Sequence, residues 1–84
     1  MAYAPVSAVL KGLKVLEAVN RLGPASLREI TEVTGLPKAS TVRLLETLVH
    51  AGYISVMNDA RRYIVTARVL SLSNNFRPDQ ALLA

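Results

Sequence analysis

The sequence contains no cysteine and no tryptophan, and it has one histidine, one phenylalanine and three tyrosines. Without cysteine there is no disulfide scaffold, no thiol chemistry and no Cys-based zinc site. A single histidine, His50, leaves no room for a multi-histidine metal centre. No carboxylate pair stands in an evident pocket pattern, so nothing assembles a catalytic constellation. Aromatic residues make up only 5% of the chain, too few for the stacking platforms that single-stranded RNA recognition uses. No apolar run approaches the roughly 18 residues of a membrane span. The opening MAYAPVSAVL has no Lys or Arg ahead of its apolar stretch, which a signal peptide would need. There is no internal repeat and no low-complexity segment. The expectation is a soluble, cytoplasmic, non-enzymatic domain with no cofactor, no metal and no membrane association.

What is present fits one small domain of 84 residues. Hydrophobic residues at 51% and charged residues at 19% allow a buried core and exclude a disordered tail. The formal net charge is +4, and an excess of positive charge points weakly to a polyanion partner. Its distribution says more. From Gly35 to Arg77 there are six cations (Lys38, Arg43, Arg61, Arg62, Arg68, Arg77) against two acids (Glu46, Asp59), so the whole excess lies in that part.

Glycine and proline divide the chain into pieces of helical or strand length. Met1 to Val6, with Tyr3 and Pro5, reads as an irregular arm. Ser7 to Leu22 has Val9, Leu13, Leu16, Val19 and Leu22 at helical spacing with Leu10 beside them, and Gly23-Pro24 ends it. Ser26-Leu27-Arg28-Glu29 is a capping box that opens a short helix with Leu27, Ile30 and Val33 on its apolar edge. Gly35 closes that helix. A third begins at Pro37, whose missing N–H suits a first turn, and runs to about Ala51 before Gly52. Its stripe is Val42, Leu45, Leu48 and Val49, flanked by Leu44. Ser40, Arg43, Thr47 and His50 take the opposite face. The expected core includes Leu10, Leu13, Leu16, Leu45 and Leu48.

The period then becomes extended. Tyr53 to Val65 reads as a hairpin around the turn residues Asn58-Asp59-Ala60, with a basic corner at Arg61 and Arg62. A last helix is expected over roughly Ala67 to Asn75, with Val69, Leu70 and Leu72 apolar. Pro78 breaks it, and Asp79 to Ala84 could start another.

Two amphipathic helices joined by Gly35-Leu36 are the helix-turn-helix signature, and the hairpin makes it a winged one. The predicted fold class is therefore mainly α with a small β-hairpin, a winged helix-turn-helix. The third helix carries short side chains near its start, at Pro37, Ala39, Ser40 and Thr41. These allow close approach to base edges in a major groove about 12 Å wide. Lys38 and Arg43 add phosphate contacts or guanine readout. The predicted DNA-binding residues are Ser26, Pro37, Lys38, Ala39, Ser40, Thr41, Arg43, Thr47, Arg61 and Arg62. The competing function is a winged-helix module for protein–protein contact without DNA binding. The cations Lys38, Arg43, Arg61 and Arg62 argue against it.

The stretch SLREITEVTGLPKASTVRLLETLVHAGYI resembles the N-terminal DNA-binding domain of the IclR family of bacterial transcription regulators. The residues that carry the likeness are Ser26, Leu27, Glu29, Ile30, Thr34, Gly35, Leu36, Pro37, Lys38, Thr41, Arg43, Leu44, Leu45, Thr47, Leu48, Gly52, Tyr53 and Ile54. Leu10 to Leu16 resembles the family's opening helix, and Arg62-Tyr63-Ile64-Val65 its second wing strand. The wing between them departs from the usual Asp- and Gly-rich pattern, with Met57-Asn58-Asp59-Ala60-Arg61 instead. Arg68 to Phe76 resembles the branch that controls breakdown of aromatic acids. The resemblance implies a winged domain over residues 1–76, with 77–84 starting a linker to an effector-binding domain absent from this chain. It also implies a homo-oligomer in the full-length regulator, a palindromic double-stranded operator, and a small-molecule effector bound only by that further domain.

Overall fold

Among the described residues, three α-helices, a two-stranded hairpin and a 3-10 segment follow one another: α1 (Ser7–Leu22), α2 (Leu27–Thr34), α3 (Lys38–His50), β1 (Ile54–Met57), β2 (Arg62–Val65) and the 3-10 segment (Ala67–Ser73). The structure is a computed structural model, and it describes residues 3–57 and 61–79. The expected Asn58-Asp59-Ala60 turn and nearly all of the expected helix start over 79–84 lie outside the described residues, as do residues 1–2 of the arm.

Local chemistry sets each boundary. The amide of Gly23 donates to the Val19 carbonyl at 2.8 Å, which closes α1. A Cβ at Gly23 would stand 2.7 Å from that same oxygen, so only glycine fits there without a shift. The predicted capping box forms at the start of α2. The Glu29 amide donates to Ser26 Oγ at 3.2 Å, and the Ser26 amide donates to Glu29 Oε1 at 2.8 Å. Gly35 ends α2 in the left-handed region at φ 71°, where an L side chain is strained. Thr34 then tightens the turn: its hydroxyl donates to the Ile30 carbonyl at 2.8 Å and accepts from the Leu36 amide at 3.3 Å. Pro37 is the N-cap of α3.

The hairpin is antiparallel, with Ile54 opposite Val65, Ser55 opposite Ile64, Val56 opposite Tyr63 and Met57 opposite Arg62. Its second strand is also tied to the segment before α2. Ala25 and Tyr63 exchange both backbone bonds, at 2.9 and 2.7 Å. The wing is thereby fixed to the helix-turn-helix unit rather than hanging from α3 alone.

Val15, Ala18 and Val19 of α1, Ala25, Ile30 of α2, Leu45 of α3 and Ile54 of β1 form the buried core. Leu16, Leu44 and Leu48 pack against it. Expected core residues Leu10 and Leu13 are instead more than half exposed, at 57% and 52%, and Val9 at 58%. The N-terminal half of α1 has no fully buried side chain; the helix docks through its C-terminal half. Val33 and Val49 are likewise exposed, and Thr34 takes the buried place on α2 expected of Val33. The helix expected over Ala67 to Asn75 is 3-10 and ends at Ser73. The hydroxyls of Ser71 and Ser73 donate to carbonyls three residues back, and no residue of the segment is buried, so nothing favours the wider α turn.

Candidate nucleic-acid interface

With α1 and α2 packed on its inner face, α3 offers the rest of its surface outward. Pro37, Lys38, Ala39, Arg43, Glu46 and Thr47 are exposed, and Ser40 is half-buried. Thr41 is a correction. It is fully buried, and its hydroxyl donates to the Pro37 carbonyl at 2.9 Å. One step along a helix turns a side chain by roughly 100°, which carries Thr41 from the outward face to the inward one. Its work is to hold the first turn of α3, not to meet a ligand. The Thr47 hydroxyl donates to the Arg43 carbonyl at 2.8 Å, and the residue remains exposed.

Two flanks frame α3. On the α1 side, an open, apolar-floored groove is lined in part by Ser7, Lys11 and Leu13 of α1 and by Ser40, Arg43 and Thr47 of α3. On the α2 side, a smaller notch is lined by Ser26, Leu27, Arg28, Thr31, Lys38 and Arg61. Lys11 and Arg43 thus border one side, and Arg28, Lys38 and Arg61 the other. Lys11, Arg28 and Thr31 escaped the sequence reading. Lys11 lies on α1, and nothing in linear spacing brings α1 beside Arg43. Arg28 carried a usable signal, since the first helix of such a motif commonly crosses a nucleic-acid backbone. Arg28 pairs with Glu32 at 3.3 Å, both well exposed, which is a weak tie that a phosphate can displace.

The two wing arginines differ. Arg61 is exposed at φ 48°, a left-handed backbone that non-glycine residues rarely adopt. Arg62 turns back. Its guanidinium lies 3.2 Å from Glu29 Oε1 and 3.5 Å from the Pro24 carbonyl. The carboxyl of Glu29 is held below its ordinary pKa, first by the Ser26 amide and hydroxyl and then by the positive charge of Arg62. Ser26 serves both bonds of the cap and lines the notch. Arg68, counted among the cations of the basic half, stacks over the Tyr53 ring at 5.3 Å. Among the described residues no cluster of His, Cys, Asp or Glu could hold a metal ion, and no helix is long and apolar enough to cross a membrane.

The IclR helix-turn-helix domain family matches residues 8–56. The HTH-type transcriptional regulator TsaQ1/TsaQ2 of Comamonas testosteroni is 39% identical over 67 residues, which are 80% of this chain and 24% of that protein. The transcriptional repressor IclR of Escherichia coli (strain K12) is 29% identical over 99% of this chain and 31% of its own length. The crystal structure of an IclR family transcriptional regulator from Brucella abortus superimposes with a TM-score of 0.78 at 28% identity, covering 93% of this chain and 32% of that one. The chain spans about a quarter to a third of these proteins. Its winged helix-turn-helix fold and the matched motif agree: this chain belongs to the IclR helix-turn-helix family, the DNA-binding domain of transcription regulators.

Proposed function

We propose that this chain reads a specific double-stranded DNA site by laying the N-terminal half of α3 in the major groove. The observation that carries the reading is the frame of cations. Lys11 and Arg43 stand on one side of an exposed, short-chained helix face, and Arg28, Lys38 and Arg61 stand on the other. A major groove is bordered by two phosphate strands, and a helix seated in it can meet both. Pro37, Ala39 and Ser40 face base edges, Thr47 borders the groove from the second half of α3, Arg43 reads a base or a phosphate, and the notch beside Ser26 takes backbone phosphates. Glu46 and His50 stay off the base edges.

In this reading residues 1–76 are the DNA-binding unit of a cytoplasmic regulator without catalytic activity, and 77–84 lead towards an effector-binding domain. The relatives being transcription regulators three to four times longer supports that. The regulator acts as a homo-oligomer on a palindromic operator, and a small-molecule effector binds only the further domain.

The test is a duplex selected from a random-sequence pool by this chain, compared with mixed-sequence duplex across a salt series. Phosphate binding weakens steeply as salt rises. Arg43→Ala is expected to cost roughly 1–3 kcal/mol on the selected duplex and to narrow its margin over mixed sequence. Binding that ignores salt, or no selected sequence at all, would sink the reading.

A further inference from the structure

Arg61 and Arg62 are neighbours in sequence, yet their side chains serve opposite directions. Arg61 lines the notch with Arg28 and Lys38. Three cations from three separate elements (α2, α3 and the wing) converge there, and like charges so placed repel one another. A contact that ties the wing to this side would oppose that repulsion. Arg62 is placed to do it. Its guanidinium reaches Glu29 Oε1 at 3.2 Å and the Pro24 carbonyl at 3.5 Å, across more than thirty residues of chain. Glu29 Oε1 also accepts from the Ser26 amide at 2.8 Å, so the anchor is itself tied to the cap of α2. The neighbouring Ala25–Tyr63 backbone pair, at 2.7 and 2.9 Å, holds the same strand to the same segment.

We propose that Arg62 is a positioning residue: its ion pair with Glu29 latches β2 to the cap of α2 and so sets Arg61 beside Arg28 and Lys38 as a ready-made seat for one backbone phosphate. This rests on the DNA-binding reading. It replaces the view of Arg61 and Arg62 as two equivalent wing cations. It also gives Glu29 a task beyond capping. An acid at a DNA-facing surface ordinarily weakens binding by repelling phosphate; here it strengthens binding by holding the wing.

The signs of two effects separate a latch from a direct contact. Glu29→Gln keeps the capping box, because glutamine can accept from the Ser26 amide, but removes the charge that holds Arg62. If Arg62 itself touches phosphate, Glu29→Gln frees it and removes a negative charge, so affinity for mixed-sequence duplex rises. The latch gives the reverse. Affinity in 0.1 M salt is expected to fall about three- to tenfold, the worth of roughly one phosphate contact. In an Arg62→Met background the same change is expected to produce no further fall. Backbone NMR order parameters of Arg61 without DNA supply a second readout, and they are expected to drop in both single variants. Tighter binding by Glu29→Gln, or an Arg61 amide as ordered as in the unaltered chain, would overturn the latch. Failure of the unaltered chain to bind duplex in a salt-dependent way would instead overturn the DNA reading, while the NMR arm still decides the latch.

Discussion

Replacing Thr41 by Val is expected to cost stability and leave DNA affinity alone. The side chain is fully buried and donates to the Pro37 carbonyl, so the change removes one hydrogen bond and leaves the shape nearly intact. The loss is expected to be about 1 kcal/mol, seen as a lowered midpoint in denaturant, with duplex affinity unchanged at temperatures where both variants are folded. Weaker binding at unchanged stability would return Thr41 to the interface. Glu29 gives a pH prediction with a definite sign. Its pKa in the folded chain is depressed by the Ser26 amide first and Arg62 later, so its contribution is fully present above the ordinary carboxylate pKa. That contribution is lost as pH falls below that value and through the depressed one. Glu29→Gln is therefore expected to flatten the acid limb of a stability-against-pH curve and leave the curve's shape near neutrality unaltered. A limb equally steep in the variant would assign acid sensitivity to other carboxylates.

Helix α1 shows where an element's pattern informs and where it stops. Its ends and length were legible, because Gly23 and Pro24 leave the helix no alternative. Its buried face was not. Val9, Leu10 and Leu13 continue the spacing of Leu16 and Val19, yet burial depends on which half of the helix meets α2, α3 and β2. Periodicity records a stripe, not how far along the stripe a partner reaches. Leu13→Ser is accordingly expected to change stability by less than about 1 kcal/mol, as exposed positions do. Val19→Ala, at a fully buried site, is expected to cost about 2 kcal/mol from lost methyl burial and the cavity left behind. Thermal melts of the two variants check the contrast, and a larger loss for Leu13→Ser would mean that its groove is filled in solution. The helix-turn-helix itself was legible almost residue by residue, because capping boxes, left-handed glycines and N-terminal prolines are local chemistry. The capping box of α2 and the Gly35 turn stand where the residues put them. The face proposed for DNA was half legible. Lys38 and Arg43 lie on α3 itself and Arg28 on the helix before it, whereas the place of Lys11 beside α3 and the inward turn of Arg62 follow from tertiary placement that no spacing encodes.

At the scale of the whole molecule, the informative quantity is which cations stand around α3, not the net charge of +4. Lys11 belongs to α1 and Arg28 to α2, and they border opposite sides of α3. If α3 enters a major groove, these two residues meet the two different strands that wall it. Each contact that is lost shrinks the salt slope of duplex binding by about 0.9, whatever the sequence. Lys11→Gln is therefore expected to reduce the slope by about one unit and Arg28→Gln, which shares its phosphate with Lys38 and Arg61, by no more than that; the two reductions are expected to add, because sites on separate strands with no shared partner act independently. Arg68→Gln is the control. Its guanidinium stacks on Tyr53 and lines neither flank, so the slope is expected to stay within experimental scatter. Isotherms on mixed-sequence duplex at four or more salt concentrations measure all of these. A slope lowered by Arg28→Gln but untouched by Lys11→Gln would tilt the domain onto its α2 and wing side, with α1 lifted from the second strand. A slope lowered equally by Arg68→Gln would show that net charge alone sets the affinity, and the placement of cations around α3 would lose its meaning.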